Sequence, residues 1–368
     1  MGIVTKTKTS TYRLQYLDWL RGLGALIMLQ GHVFHSFLRN DLRQDGPYML
    51  SQFVGGMPPA IFLFLTGVTL AFLMDSTERK GLPPVERVTT AFRRSGYLFL
   101  LAFAFRLQMW VFSGTSPWTD LFRVDILNAM GFAMAVLSVM ALFRTQERAR
   151  LCAALGLAIA LAAPLVTQID SSAVPAMLRN YVVPDYNAFA FFPWAAYLAF
   201  GMSVGSAIRI IPPDSIERFV QWAALAAGVT IVACQYLAGL PYSVYPKSEY
   251  WLNSPAQVLT KLSATVLLLA MAFVWTRYGA RGDRWSWVRQ IGTTSLLVYW
   301  VHIELVYGRW LWFFKNNLNV PQVVVAAICV ILLMVGLSTL KTYRHRVGLM
   351  LAEMGWSFGP KPDRVPGD

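Results

Sequence analysis

The stretch RGLGALIMLQGHVFHSF, residues 21–37, is apolar and long enough to form most of a membrane-spanning helix, yet it begins with an arginine and contains two histidines. Ionisable side chains within a membrane helix are costly and usually face a cavity or a partner. Because an α-helix repeats every 3.6 residues, Arg21 and His32 lie on nearly the same face, about 16 Å apart along the axis. Asp18 and His35 lie close to this stripe. One face of the helix is therefore predicted to carry functional groups.

The composition of the whole chain is typical of a membrane protein. Of the 368 residues, 56% are hydrophobic and 14% are charged, and the mean hydropathy is +0.48. The apolar runs are continuous rather than alternating, which indicates helices and not barrel strands. We therefore predict an all-α polytopic helical bundle that forms a single integral domain over residues 1–368. The net charge of +13 fits basic cytoplasmic loops, and no basic domain lies outside the apolar runs, so no nucleic-acid partner is expected.

Hydrophobic runs separated by turn and charge signals predict ten membrane spans. The predicted spans are 16–38, 52–74, 95–113, 124–143, 151–168, 189–208, 219–238, 255–275, 291–308 and 322–340. Of the 32 Lys and Arg residues, 22 lie in the loops on the side of the N-terminus and seven lie on the other side. Because cytoplasmic loops are enriched in Lys and Arg, both termini are predicted to be cytoplasmic. Residues 1–15 form a cytoplasmic segment and residues 342–368 a cytoplasmic tail in this prediction.

Further ionisable and amide side chains lie within or at the ends of other predicted spans. They are Arg106 and Gln108 in the third span, Asp125 and Asn128 in the fourth, Lys261 in the eighth, and Tyr299, His302 and Glu304 in the ninth. Two interpretations are open for the charged members, because buried charges either pair with one another or mark a functional site. In the interpretation in which buried charges pair, Arg106 forms an ion pair with Asp125 or Glu304. Asp125 also fits a helix N-terminal cap, and Asp18 fits a structural ion pair with Arg21.

Several kinds of chemistry are disfavoured by the motifs. His32 and His35 lack a third ligand at metal-binding spacing, so no metal site is expected. No glycine-rich phosphate loop or serine-elbow motif occurs, and the three cysteines lie apart in apolar segments. The remaining pattern, an intramembrane histidine with cationic neighbours, suits general-base catalysis with an anionic cofactor.

The segment YLDWLRGLGALIMLQGH resembles the transmembrane acyltransferase superfamily, in whose first helix an arginine is followed, after ten residues, by a histidine. These residues are Arg21 and His32 here. The runs PPAIFLFLTGVTLAF, RVDILNAMG and GTTSLLVYWVHIELVYG are most similar to bacterial relatives of heparan-α-glucosaminide N-acetyltransferase. The resemblance implies a bacterial inner-membrane enzyme that moves an acyl group, usually acetyl, from cytosolic acyl-CoA to a sugar amine or hydroxyl on the far side of the membrane.

The resemblance also implies roles for individual residues. Histidine is the expected catalytic residue, which makes His32 the candidate base, oriented by His302 or Asp125. The eukaryotic lysosomal members place an asparagine where His32 stands and take their histidine from further along, so His35 is a rival. The residues expected near acyl-CoA are Arg21, Arg93, Arg94, Arg106 and Lys261, and those expected near the glycan acceptor are Asn128, Gln108, Glu304 and Tyr299. Membrane lipids are the other expected partners, and the choice between a monomer and a homodimer is open.

Two other classes of protein are open at this point. A proton-coupled secondary transporter of a small solute would use the histidines and carboxylates as a relay, although the chain lacks paired, proline-broken helices in two matching halves. A membrane scaffold would use the charges as structural ion pairs. Within the acyltransferase interpretation, direct transfer is preferred to a covalent acyl-histidine, because it needs no exchange of partners in a narrow tunnel.

Overall fold

The computed structural model describes residues 14–113, 116–240, 242, 244–279 and 285–353, and side chains as far as residue 344. These residues contain thirteen α-helices and no named β-strand. The helices are α1 (Gln15–Phe37), α2 (Gly46–Gly55), α3 (Pro58–Arg79), α4 (Pro84–Ser113), α5 (Ile126–Leu137), α6 (Thr145–Val166), α7 (Ala176–Arg179), α8 (Phe191–Ile210), α9 (Ile216–Ala238), α10 (Pro255–Val274), α11 (Trp287–Thr293), α12 (Ser295–Tyr307) and α13 (Val320–Glu353).

The predicted helical membrane bundle is confirmed. Within the described ranges, seven helices are long and apolar enough to cross a membrane, and Ile126–Leu142 and Ser295–Tyr307 are shorter apolar helices. Helix α1 is not one of the seven, because its stripe of polar side chains lowers its mean hydropathy. Each of the ten predicted spans overlaps a helix of the structure. The cytoplasmic location of both termini stays a prediction.

Several helix boundaries differ from the predicted ones, each for a local reason. Two prolines at 58 and 59 begin α3 separately from α2, since proline favours the first turn of a helix. Pro84 begins α4 well before the predicted start at 95, because the charged first turns are helical although they are not apolar. Helix α13 continues to Glu353, into the predicted tail 342–368. The rest of that tail and residues 1–13 lie outside the described residues.

The bundle has two ends, which we define by α1. The first face is the end at which α1 begins, and the second face is the end at which α1 terminates. At the first face, the hydroxyl of Thr145 at the start of α6 donates to Glu78 near the end of α3, at 2.9 Å. At the second face, the amide of Leu318 donates to the carbonyl of Phe37 at 2.9 Å. The charge distribution predicts that the first face is cytoplasmic.

Helices α3 and α8 pack together through glycines. A Cβ placed on Gly201 would overlap the carbonyl oxygen of Phe64, and a Cβ placed on Gly67 would overlap the carbonyl oxygen of Leu198. Small residues at such crossings let two backbones approach closely, which strengthens van der Waals packing between membrane helices. This crossing builds the largest buried core of the bundle, which includes Ala199 and Met202.

The crossing of α3 and α8 predicts a difference between two glycine substitutions. Gly201→Ala is expected to lower the melting temperature in detergent, since overpacking of this kind costs about 1–3 kcal/mol. Gly228→Ala on α9 is the matched control, because no atom lies within 4 Å of the added Cβ. That control is expected to keep or raise the melting temperature, since alanine is the better helix former. Equal melting temperatures for the two variants would contradict the glycine-mediated crossing.

Candidate active site

A cavity of about 1060 Å³ lies among α1, α3, α4, α5 and α12. Arg21 and Arg94 line it toward the first face, and His35 and Tyr307 line it toward the second face. His32 lines it between these ends, about 16 Å along α1 from Arg21. The volume is slightly above the range of about 300–1,000 Å³ for small-molecule sites. The cavity therefore brings the predicted base together with Arg21, Arg94 and Arg106, three of the arginines predicted to bind the donor.

Two histidines from different helices meet at the wall of this cavity. Nδ1 of His32 on α1 lies 2.9 Å from Nε2 of His302 on α12, and the two rings are stacked with an interplanar angle of 13°. Nδ1 of His302 lies 2.6 Å from the carbonyl oxygen of Val298, one turn earlier on α12. His302 is fully buried. The His32–His302 pair is therefore fixed by a carbonyl oxygen at its inner end.

The carbonyl oxygen determines where the protons of the pair lie. A carbonyl oxygen only accepts hydrogen bonds, so Nδ1 of His302 carries the proton in that contact. A neutral imidazole then has an unprotonated Nε2, which accepts from Nδ1–H of His32. A charged His302 would be buried with no described carboxylate against it, which is costly. The remaining nitrogen of His32, Nε2, is thereby left with a free lone pair.

His35 lies at the exposed rim toward the second face. Its Nδ1 is 3.3 Å from the hydroxyl of Tyr307, whose ring also packs edge-on against His32 at 5.4 Å. Lys315 donates to the Tyr307 carbonyl at 2.7 Å, and burial lowers the pKa of Lys315.

Among the described residues, no group of three His, Cys, Asp or Glu side chains is placed to hold a metal ion.

Asp125 forms both contacts that the sequence left as alternatives. Its Oδ1 accepts from the backbone amides of Leu127 and Asn128 at 3.1 and 3.0 Å, which caps the start of α5. Its Oδ2 lies 3.1 Å from Nε of Arg106. The predicted ion pair with Arg106 and the predicted cap are both confirmed. Of the two residues predicted to orient His32, His302 makes the hydrogen bond, while Asp125 is engaged by α5 and Arg106.

The arginines predicted to hold the donor differ in position. Arg21 lies in the cavity wall and pairs with Asp18 at 3.0 Å, so the predicted ion pair is present. Arg94 also lines the cavity, with its guanidinium carbon 5.5 Å from the centre of the Tyr97 ring. Arg93 is exposed and outside the lining. Rotation of 100° between neighbouring residues of α4 separates these two arginines.

The remaining predicted residues are only partly brought to the cavity. Tyr299 and Arg106 line it. Gln108 accepts from the indole nitrogen of Trp300 at 2.8 Å and lies outside the lining. Asn128, Glu304 and Lys261 also lie outside it, and the buried Oδ1 of Asn128 and Oε2 of Glu304 have no hydrogen-bond partner among the described residues.

Sequence reasoning missed other lining residues that carry polar groups. They are Arg123, Thr66, Thr69, Thr293, Ser295 and Tyr307. Tyr307 contacts both His32 and His35 and follows His302 within the run GTTSLLVYWVHIELVYG. The position of Tyr307, five residues after His302, was the signal in the sequence that could have identified it as a site residue. The others carry no local pattern that distinguishes them from ordinary helix residues.

Comparison with known proteins identifies the family to which this chain belongs. A family model described as an acyltransferase domain matches residues 14–341. The chain therefore belongs to the acyltransferase 3 family and is a membrane acyltransferase. No curated protein sequence matches the chain.

The ion pair of Arg106 and Asp125 predicts a rescue by a second substitution. Arg106→Met leaves a buried carboxylate without its partner and is expected to cost about 3–5 kcal/mol of stability. The double variant Arg106→Met, Asp125→Asn removes both charges, and asparagine still caps α5. Its melting temperature in detergent is expected to recover most of the loss. A double variant as unstable as the single one would show that the charge pair is not what stabilises this region.

Proposed function

We propose that the protein transfers an acyl group, acetyl in the first instance, from cytosolic acyl-CoA to a sugar amine or hydroxyl on the outer side of the bacterial inner membrane. The observation that carries this proposal is the position of His32 in the cavity wall with its Nδ1 2.9 Å from Nε2 of His302, a contact that leaves Nε2 of His32 available as a base. Membership of the acyltransferase 3 family supports the reaction class.

The donor is proposed to enter from the first face. Arg21 and Arg94 line the cavity toward that face, and arginine forms strong charge-assisted hydrogen bonds with phosphate groups such as those of CoA. The excess of Lys and Arg in the adjoining loops supports a cytoplasmic location for this face. The pantetheine arm would extend along α1 toward His32, so that the thioester and the acceptor meet beside the histidine pair.

The proposed reaction is a direct transfer. As the acceptor oxygen or nitrogen attacks the thioester carbonyl, Nε2 of His32 takes the acceptor's proton. The new carbon–oxygen or carbon–nitrogen bond forms, the carbon–sulfur bond breaks, and the proton passes from His32 to the departing thiolate. His302 stabilises the imidazolium that forms transiently on His32, because its Nε2 accepts the Nδ1–H hydrogen bond. The thioester supplies the driving force.

This reaction predicts different effects for the two histidines of α1. His32→Ala is expected to reduce acyl transfer by about 10²–10⁴-fold, since loss of a positioned base typically costs this much. His35→Ala is expected to have a much smaller effect, because His35 lies at the rim and outside the histidine pair. The measurement is acceptor-dependent thiol release from acetyl-CoA by the purified protein.

Thermal shift with CoA serves as the control for folding in both histidine variants. An active His32→Ala together with an inactive His35→Ala would move the role of base to His35. A transporter would release no thiol from acetyl-CoA with any acceptor, so failure of the wild-type assay over a range of sugar acceptors would favour that alternative class.

The position of Arg94 predicts a second difference between neighbouring residues. Arg94→Ala is expected to weaken acetyl-CoA binding about ten-fold or more, because a hydrogen bond to a charged group contributes about 1.5–3 kcal/mol. Arg93→Ala removes the same charge outside the cavity and is expected to leave the affinity nearly unchanged. Calorimetric titration with acetyl-CoA compares the two variants. Equal losses would indicate a general charge effect of the first face rather than contact with the donor.

A further inference from the structure

Lys261 on the second turn of α10 is a partly buried amine without a carboxylate partner. Its Nζ lies 5.5 Å from the centre of the Trp194 ring, and a Cβ placed on Gly56 would stand 3.7 Å from it. No ion pair joins Lys261 to any acidic side chain of the described residues. The ring of Trp194 covers one side of the ammonium group, but an aromatic face does not replace a hydrogen-bond acceptor for three N–H donors.

A buried donor without a partner lies one helical turn away. Gln257 is 5% exposed, and its Nε2 has no hydrogen-bond partner among the described residues. Positions 257 and 261 are i and i+4, so the two side chains share a face of α10. A buried polar group without a partner costs free energy, and one anionic acceptor would satisfy the Gln257 amide and also neutralise the Lys261 charge.

This pair of donors adjoins the second-face part of the cavity. Gly55, which precedes Gly56, lines the cavity and packs against the backbone of Gly31, the residue before His32. Phe189 also lines the cavity, and its ring packs on Trp194 at 5.0 Å. The ammonium group of Lys261 thus lies beside Gly56, next to residues of the cavity wall.

The pair also belongs to the second face rather than the first. Asn253, just before α10, donates to the hydroxyl of Thr167 at the end of α6, at 2.9 Å. Lys261 therefore lies at the opposite end of the bundle from Arg21 and Arg94. If the donor enters from the first face, as proposed, its phosphates would bind at the end of the bundle away from Lys261, so we consider an acceptor role for this amine.

We infer that Lys261 and Gln257 bind an anionic group of the acceptor, so that the natural acceptor is an acidic sugar bearing a carboxylate or a phosphate. This inference rests on the proposed function, because it takes the second face as the acceptor side. A methionine of similar length would occupy the position of Lys261 without the cost of a partly buried charge. An amine that serves packing alone is therefore disfavoured.

The test compares matched acceptors in nanodiscs of phosphatidylcholine. Wild-type protein is expected to use methyl glucuronide and glucose 1-phosphate in preference to methyl glucoside, measured as kcat/KM for thiol release from acetyl-CoA. In Lys261→Met the ratio of charged to neutral acceptor is expected to fall about ten-fold or more, since a charged hydrogen bond is lost. Lys261→Arg is expected to keep most of the ratio, and Gln257→Leu to lower it less.

Lys247→Met is the matched control, because Lys247 is an exposed lysine in the loop before α10. It is expected to keep the wild-type ratio. A wild-type protein that does not discriminate between charged and neutral acceptors, or a Lys261→Met variant with an unchanged ratio, would overturn the inference. The melting temperature of Lys261→Met is expected to equal or exceed that of the wild type, so loss of the fold does not account for the result.

Two further measurements distinguish an acceptor site at Lys261 from a site for a lipid headgroup, and anion binding from turnover. A dependence on Lys261 that appears only when phosphatidylglycerol is added to the nanodiscs would assign the amine to a lipid headgroup and would overturn the inference. A rise in melting temperature caused by methyl glucuronide, present in the wild type and absent in Lys261→Met, reports the anion site without turnover. That rise in the absence of any thiol release would support the anion site while contradicting the proposed function.

Discussion

The contact between α1 and α11 is the constraint on which the candidate site depends. At Gly22 and Gly292 the two backbones lie so close that a Cβ would overlap a carbonyl oxygen of the other helix. The chain continues from α11 into α12, which carries His302, so this contact fixes the first-face end of α12 against α1. The hydrogen bond from His32 to His302 fixes the middle of α12. Near the second face, the hydroxyl of Ser36 donates to a carbonyl of α12 at 2.8 Å. With α12 held at three levels, the polar stripe of α1 keeps one orientation toward the cavity.

The charges inside the bundle divide into those with a partner and those without one. Arg148 is fully buried at the first face and lies 3.5 Å from Glu78, and Arg106 pairs with a carboxylate at 3.1 Å. Breaking such a pair leaves a buried charge, whereas replacing both members with apolar groups is often neutral, so these pairs specify helix neighbours more than they add stability. Among the described residues, no carboxylate pairs with Lys261. Its charge therefore has no role in specifying a helix neighbour of the kind that the paired arginines have.

Much of the fold followed from hydropathy, because a lipid environment forces apolar segments into helices, and the ten predicted spans all overlap helices of the structure. Helical periodicity also indicated His32 as a site residue, because the face of α1 on which a side chain lies depends only on the local sequence. The sequence did not distinguish Arg94 from Arg93, because which one meets the cavity depends on how α4 is rotated against its neighbours. The ten-span prediction already placed the start of span 255–275, and with it Lys261, at the end of the bundle away from the N-terminus, but the amine was grouped with the donor-binding residues by its charge alone. Contacts between distant helices leave no local pattern, so the pairing of His32 with His302, 270 positions apart, required the structure.

The hydrogen-bond chain that starts at His32 has a consequence for a membrane that sustains an electrochemical gradient. A polar cavity in such a membrane becomes a leak if its side chains form a continuous proton wire. Here the chain passes through two imidazoles and stops at the carbonyl oxygen of Val298, which has no proton to hand on. A proton that His32 accepts from the cavity can leave only to the cavity. The histidine pair therefore offers no route for protons through itself, so the acid–base step proposed for His32 would not dissipate the gradient by this path.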